Sequence, residues 1–154
     1  LYCHPQIDSY VSTTHGEGFG LPLFEAAYSG LPIAVTGWSG HLDFLRGPDD
    51  KGKTRNLYEK ISYDLDYIQE NAHMENVLTP EMKWAYPKEK SIIKAMKNMI
   101  NAKTAKKNIA TRLQTHIHEQ FSKENQYTKI VDHCLSFYEK TNTWNQTKNE
   151  ISEI

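Results

Sequence analysis

The sequence predicts an α/β domain with a short parallel sheet and a helical C-terminal third. A β-prone run, a glycine-rich loop, a short helix and a second apolar run follow one another within residues 9–36, the strand–helix–strand order of a parallel sheet. From residue 88 onward apolar residues recur every three or four positions, the period of helices that bury one face. At 154 residues the chain has the size of one ordinary domain.

Taken in order, Ser9 to Thr13 is the first β-prone run, followed by the loop His15-Gly16-Glu17-Gly18-Phe19-Gly20. Pro22 suits the first turn of a helix and Leu23 to Tyr28 continues it. Ser29-Gly30 stops that helix, because glycine accepts the left-handed conformation just past a helix end. Ile33-Ala34-Val35-Thr36 reads as a buried strand. Gly37 to Gly40 is a loop, His41 to Leu45 a short helix, and Arg46 to Arg55 a polar, turn-rich stretch. Residues 57–82 show no clean period, and one strand is expected near Asn76-Val77-Leu78. A helix over Lys88 to Ala102 gathers Ile92, Ile93, Met96, Met99 and Ile100, and a second over Ala105 to Phe121 repeats Ile109, Leu113, Ile117 and Phe121 four apart. Ser122 can cap a last helix that presents Tyr127, Ile130, Val131, Cys134, Leu135 and Tyr138. The expected division is a domain over residues 1–140 and a polar, frayed tail over 141–154.

Composition excludes several classes. With 38% hydrophobic and 24% charged residues, 8 Gly and 6 Pro, the chain is neither collagen-like, mucin-like nor wholly disordered. No run of 18 apolar residues offers a membrane span. Cys3 and Cys134 stand at opposite ends without metal-ligand spacing, so a reduced, cytoplasmic setting is expected, with peripheral membrane contact of a parent protein left open. The chain opens at Leu1 without a leader, the expectation for a piece of a longer protein. Residues 1–82 hold 5 Lys/Arg against 12 Asp/Glu, a charge of −7, whereas residues 83–154 hold 13 against 7, a charge of +6. The basic half follows helical spacing without interleaved aromatics on one basic face, so it reads as solvated helix surface and not as a nucleic-acid site.

The chemistry concentrates in His15 to Glu25. The helix at Pro22 has no Ser, Thr, Asp or Asn just before it, so its first amides lack a side-chain cap. Gly18 and Gly20 let a ligand approach the backbone. An uncapped helix start behind a glycine loop at the end of a parallel strand suits a phosphate. The loop is neither Gly-x-Gly-x-x-Gly nor a Walker loop, which argues against a dinucleotide or a triphosphate. Two carboxylates, Glu17 and Glu25, frame it eight positions apart. Such groups accept bidentate hydrogen bonds from the vicinal hydroxyls of sugars; equally, Glu17 could cap the loop and Glu25 complement the helix dipole.

Thr13-Thr14-His15-Gly16-Glu17-Gly18-Phe19-Gly20-Leu21-Pro22-Leu23-Phe24-Glu25-Ala26 resembles the Glu-x(7)-Glu motif of retaining GT-B glycosyltransferases, of the large group that includes mannosyltransferases and sucrose synthase-like enzymes. Ser29 to Val35 is similar to the Ser-Gly-x-Pro-Val segment that follows in that family, and Trp38 to Phe44 to its next loop. Trp84 and Phe121-Ser122 resemble later landmarks more loosely. The resemblance implies part of a Rossmann-like C-terminal, donor-binding domain. It implies that Glu17 is the catalytic-centre carboxylate, contacting the transferred sugar, and that Glu25 holds the ribose. His15, Gly18, Phe19, Gly20 and Leu21 would bind the donor. Ser39, Gly40 and His41 follow a strand beside this loop, where they could line the donor pocket or, equally, cap their own loop. The substrate would be a nucleotide-diphosphate sugar, with no metal and no other cofactor. The acceptor, a glycan or lipid-linked glycan, would be bound by an N-terminal domain, and the basic pair that neutralises the diphosphate in the family has no counterpart in these residues. The piece alone is therefore expected to be inactive, with a sheet of three or four strands and an exposed edge open to self-association.

Other constellations carry less. His15, Glu17, His41 and Asp43 fit no metal-ligand template. His116 and His118 fall on different faces of their helix. Trp38 and Trp84 read as anchors in core or loop. The alternative from another class is a non-catalytic module that binds a nucleotide or a partner through the same scaffold.

Overall fold

A computed structural model describes residues 1–152, with side chains to residue 141. The elements run β1 (Tyr10–Ser12), α1 (Leu21–Tyr28), β2 (Ile33–Thr36), β3 (Arg46–Pro48), β4 (Thr54–Asn56), β5 (Glu59–Ile61), β6 (Tyr63–Tyr67), β7 (Lys83–Pro87), α2 (Glu89–Asn101), α3 (Lys103–Gln120) and α4 (Lys123–Ser152). The protein is mixed α/β, with a three-stranded parallel sheet in the order β1-β2-β5. β3–β4 and β6–β7 are two separate antiparallel pairs.

The β1–α1–β2 unit forms where local chemistry directs it. All four β2 residues are buried, which is why that segment reads as an unbroken apolar run. α1 turns Leu23, Ala26 and Ala27 inward. It ends with Gly30 at φ +79°, Gly30 N–H donating to Ala27 O and Leu31 N–H to Ala26 O, the paired bonds that close a helix through a left-handed glycine.

The middle of the chain differs from the sequence reading. The turn-rich stretch after Leu45 is the β3–β4 hairpin, closed by Asp49, whose carboxylate accepts from the Lys51 and Lys53 amides. The segment near Asn76 is a turn and not a strand, with Asn76 at φ +62° and a single bridge between Met74 and Leu78. The strands of residues 57–82 are instead β5 and β6. The short helix placed at His41–Leu45 is one 3-10 turn, Gly40–Asp43.

α2 packs on β2 and β5 through Ala95 and Met99, with Ile92 against the same cluster of Ala34 and Ile61. Ile93, Met96 and Ile100, expected on the buried face, are exposed. On α3, Leu113 and Ile117 of the expected stripe are buried, together with Ala110, whereas Ile109 is half-buried and Phe121, also half-buried, lies just past the helix end. The fold divides into two compact units, Leu1–Ile117 and His118–Ile154. In the second, the Ser122 hydroxyl accepts from the Asn125 amide and caps α4. The helix passes residue 140 without a break and runs to Ser152, so the backbone of 141–152 is helical where a frayed tail was expected; residues 153–154 lie outside the described residues. The face of Tyr127, Ile130, Val131, Leu135 and Tyr138 is exposed, and both cysteines are exposed thiols.

Candidate functional site

Parallel pairing of β1 with β2, in the register Tyr10 with Ile33 through Ser12 with Val35, brings two loops to the carboxyl edge of the sheet. These are residues 13–20 after β1 and 37–40 after β2. In open parallel sheets this edge is where ligands bind.

The first loop ends at the start of α1. Gly20 occupies the N-cap position at φ +80° and ψ +59°, no side chain caps the helix, and the first turn holds no acidic residue. Phe24 N–H is the first amide bonded within the helix, to Gly20 O at 2.9 Å. The amides of exposed Leu21 and buried Leu23 precede it and have no acceptor inside the helix, which puts the positive end of the α1 dipole at this loop. The missing cap anticipated from the sequence is therefore present in the structure.

The second loop holds the first in place. Ser39 Oγ donates to Glu17 O at 2.7 Å and accepts from Glu17 N–H at 3.0 Å, and Gly40 N–H donates to Glu17 O at 3.0 Å. Ser39 adopts φ +92° and ψ −177°, a backbone region that essentially only glycine occupies, at a cost of about 1–3 kcal/mol for other residues. The two side-chain bonds to Glu17 offset that strain. Ser39→Ala, which keeps the strain and removes both bonds, is expected to destabilise the protein by about 2 kcal/mol at roughly 1 kcal/mol per bond. Ser39→Gly, which removes bonds and strain together, should cost clearly less. Denaturant titration of both variants checks this, and equal losses would show that Ser39 carries no strain.

His41 is fully buried beneath this junction. Its Nε2–H donates to Thr36 O at 2.9 Å, while Nδ1 has no partner. A Cβ on Gly20 would stand 3.4 Å from the His41 Cβ, so the two residues pack closely at the start of α1, and the full burial of His41 keeps its imidazole out of any open pocket. Ser39 and Gly40, both half-buried, fasten the loop.

His15 is held from the other side. Its Nδ1–H donates to Ala85 O at 2.8 Å, and Ala85 N–H donates back to His15 O at 3.2 Å. The ring stacks on Trp84 at 5.1 Å with 7° between planes and meets Tyr86 at 4.8 Å. Donation through Nδ1 leaves Nε2 as the remaining polar atom of the ring. Sequence reasoning did not connect β7 with the site; the signal was the pair of aromatics two apart at Trp84 and Tyr86, which share one face of a strand.

Phe19, at the tip of the loop, joins Phe24 of α1 and the fully buried Phe44 in a triad with all three centroid separations at 5.2 Å. Glu17 is half-buried and Glu25 exposed. Tyr10 has its phenol pKa raised by burial, then by Tyr2 and then by the charge of Glu17, which places the Glu17 carboxylate within electrostatic reach of β1. Glu25 borders a cleft of about 480 Å³ with Tyr2, Leu21, Phe24, Tyr28 and Ser29. The two carboxylates thus belong to different surroundings, one in the fastened loop and one beside an apolar, aromatic cleft.

Comparison with family models, curated proteins and solved structures finds no match for this chain. Among the described residues no three His, Cys, Asp or Glu side chains gather as a metal site. No described helix is long and apolar enough to cross a membrane.

Proposed function

We propose that the chain is the donor-binding part of a retaining glycosyltransferase that uses a nucleotide-diphosphate sugar, with β1–α1–β2 as a Rossmann-like half. The observation that carries this reading is the uncapped start of α1 behind a glycine loop fastened at Glu17, with one carboxylate on each side of it. The amide of exposed Leu21, at the positive end of α1 and without an acceptor inside the helix, suits the diphosphate. Glu25, beside a cleft walled by Tyr2, Phe24 and Tyr28, suits the ribose hydroxyls, and the aromatic wall suits a flat base. Glu17 then addresses the transferred sugar near the reacting carbon. Catalysis on this reading is mostly positioning and stabilisation of the leaving diphosphate by the α1 amides.

Two variants separate these roles. Glu25→Ala is expected to weaken binding of a free nucleoside diphosphate by about 1.5–3 kcal/mol, the range for hydrogen bonds to a charged group. Glu17→Gln should leave that affinity nearly unchanged and lower turnover. Calorimetry of the complete protein with both variants reads the first effect, and hydrolysis or transfer of a panel of nucleotide sugars reads the second. Equal losses of affinity would reject separate roles, and no turnover of any nucleotide sugar by the complete protein would leave a non-catalytic binding module.

A further inference from the structure

α4 turns an apolar face to solvent. From Tyr127 to Thr141 every residue is exposed, and Tyr127, Ile130, Val131, Leu135, Phe137 and Tyr138 are each 53–66% exposed. We propose that this face is the interface of a parallel two-fold dimer, in which α4 pairs with α4 of a second copy. The proposal is independent of the donor-binding reading.

The apolar residues fall in rows seven apart, the repeat that keeps one stripe facing a partner helix. Tyr127 and Cys134 form the central row, Ile130 and Phe137 the row on one side, and Val131 and Tyr138 the row on the other, with Leu135 beside the last. Side-chain bonds to the end of α3 hold only the first turns of the helix. Asn125 Nδ2 donates to Glu119 O, and Gln126 Nε2 and Lys129 Nζ donate to Gln120 O at 2.8 and 3.3 Å. A helix exposed on all sides is marginal in water, so the length of α4 calls for cover on this stripe.

The area suits a second copy. With ~150–250 Å² for a whole aromatic side chain, the six residues leave on the order of 100 Å² each, or roughly 600 Å² of face on one copy. That is the upper end of the largest apolar patch on an ordinary monomer, about 300–600 Å². Two copies together cover about 1,200 Å², where stable interfaces begin.

The charges beside the stripe select both the partner and its direction. His133 and Lys140 border the row of Ile130 and Phe137, and Asp132 and Glu139 border the opposite side, beyond Leu135. Lys123 and Glu124, at the start of the helix, fall on the same two sides. In a parallel pair the basic border of each helix meets the acidic border of the other; in an antiparallel pair like meets like. The stripe is therefore complementary to itself in one direction. A parallel two-fold also sets the two Cys134 residues face to face. Helix axes about 8–10 Å apart bring facing Cα atoms within the reach of a disulfide.

Sedimentation equilibrium of the full chain, with thiols kept reduced, should give twice the chain mass. Ile130→Glu with Phe137→Glu should weaken the dimer at least tenfold, whereas Ser136→Glu, on the opposite face of the helix, should leave it as in the parent. Asp132→Lys with Glu139→Lys should weaken it at least threefold, and adding His133→Glu with Lys140→Glu should restore it, a rescue that a merely structural role would not give. In Cys3→Ser, the thiol oxidant diamide should join two chains through Cys134; moving the thiol by Cys134→Ser with Ser136→Cys should abolish the cross-link. A monomer at every concentration overturns the proposal, and so does a dimer that survives Ile130→Glu with Phe137→Glu. A dimer that neither cross-links through Cys134 nor responds to the charge exchange is not parallel and overturns it as well. A monomer that sediments with phosphatidylglycerol vesicles, and ceases to in Ile130→Glu with Phe137→Glu, would assign the face to a membrane surface instead.

Discussion

Gly40→Ala is expected to cost about 3 kcal/mol, at the top of the overpacking range, and to release the loop that carries Glu17. A Cβ at Gly40 would stand 1.9 Å from the Gly18 carbonyl oxygen and 3.1 Å from that of Glu17. Both are backbone atoms and cannot swing aside as a side chain would. Gly40 does not lie in the left-handed region, so the cost is steric and comes entirely from the close approach of the two loops. Relief requires residues 17–18 to retreat, which breaks the Gly40 N–H bond to Glu17 O and the two Ser39 bonds. Nucleoside diphosphate affinity should then fall at least tenfold, because the start of α1 is no longer presented by a fixed loop. Gly18→Ala is the control. Its Cβ meets nothing within 4 Å, so stability should change by less than about 0.5 kcal/mol, as at an ordinary surface position. Denaturant midpoints of the pair decide it, and equal midpoints would refute the close-approach argument; calorimetry reads the affinity of Gly40→Ala against that of the parent.

Phe44→Ala should destabilise the protein by about 3–5 kcal/mol, the usual cost of emptying a buried phenylalanine position. Phe44 is fully buried and meets Phe19 and Phe24 at 5.2 Å, tilted by 50° to the first and edge-on at 87° to the second. It therefore supports the tip of the loop and the first turn of α1 at once. Phe44→Leu keeps most of the apolar volume and loses the two ring contacts, about 1–3 kcal/mol at 0.5–1.5 kcal/mol per aromatic pair. Hydrogen exchange gives the local readout. The amides from Phe19 to Phe24 should exchange faster in Phe44→Ala than in Phe44→Leu, beyond the difference in global stability. If those amides only follow global stability, the triad is core and does not position the loop.

What the sequence determined by itself is local. The β1–loop–α1–β2 order, the absence of a cap before Leu21, the left-handed stop at Gly30, the α3 stripe and the Ser122 cap all follow from neighbours within a few residues. Backbone sterics, capping chemistry and helical period act over that range and leave their mark in the order of residues.

The tertiary structure decided what depends on distant partners. β3, β4 and β5 are three residues each and largely polar, so no alternation announces them, and they exist through the strands they pair with. α2 could have buried Ile93, Met96 and Ile100, but packing on β2 and β5 selects Ile92, Ala95 and Met99. Small Ala95 admits close approach of the sheet, with Ile92 and Met99 about one turn to either side of it on the same face of the helix. At the candidate site the sequence placed Glu17 and Glu25 around the loop. It did not place Ser39 and Gly40 as its fastening or Ala85 as the acceptor for His15, which lie 22 to 70 residues away in the chain. Contacts of this kind are fixed by the closing of the chain on itself, which no local period encodes.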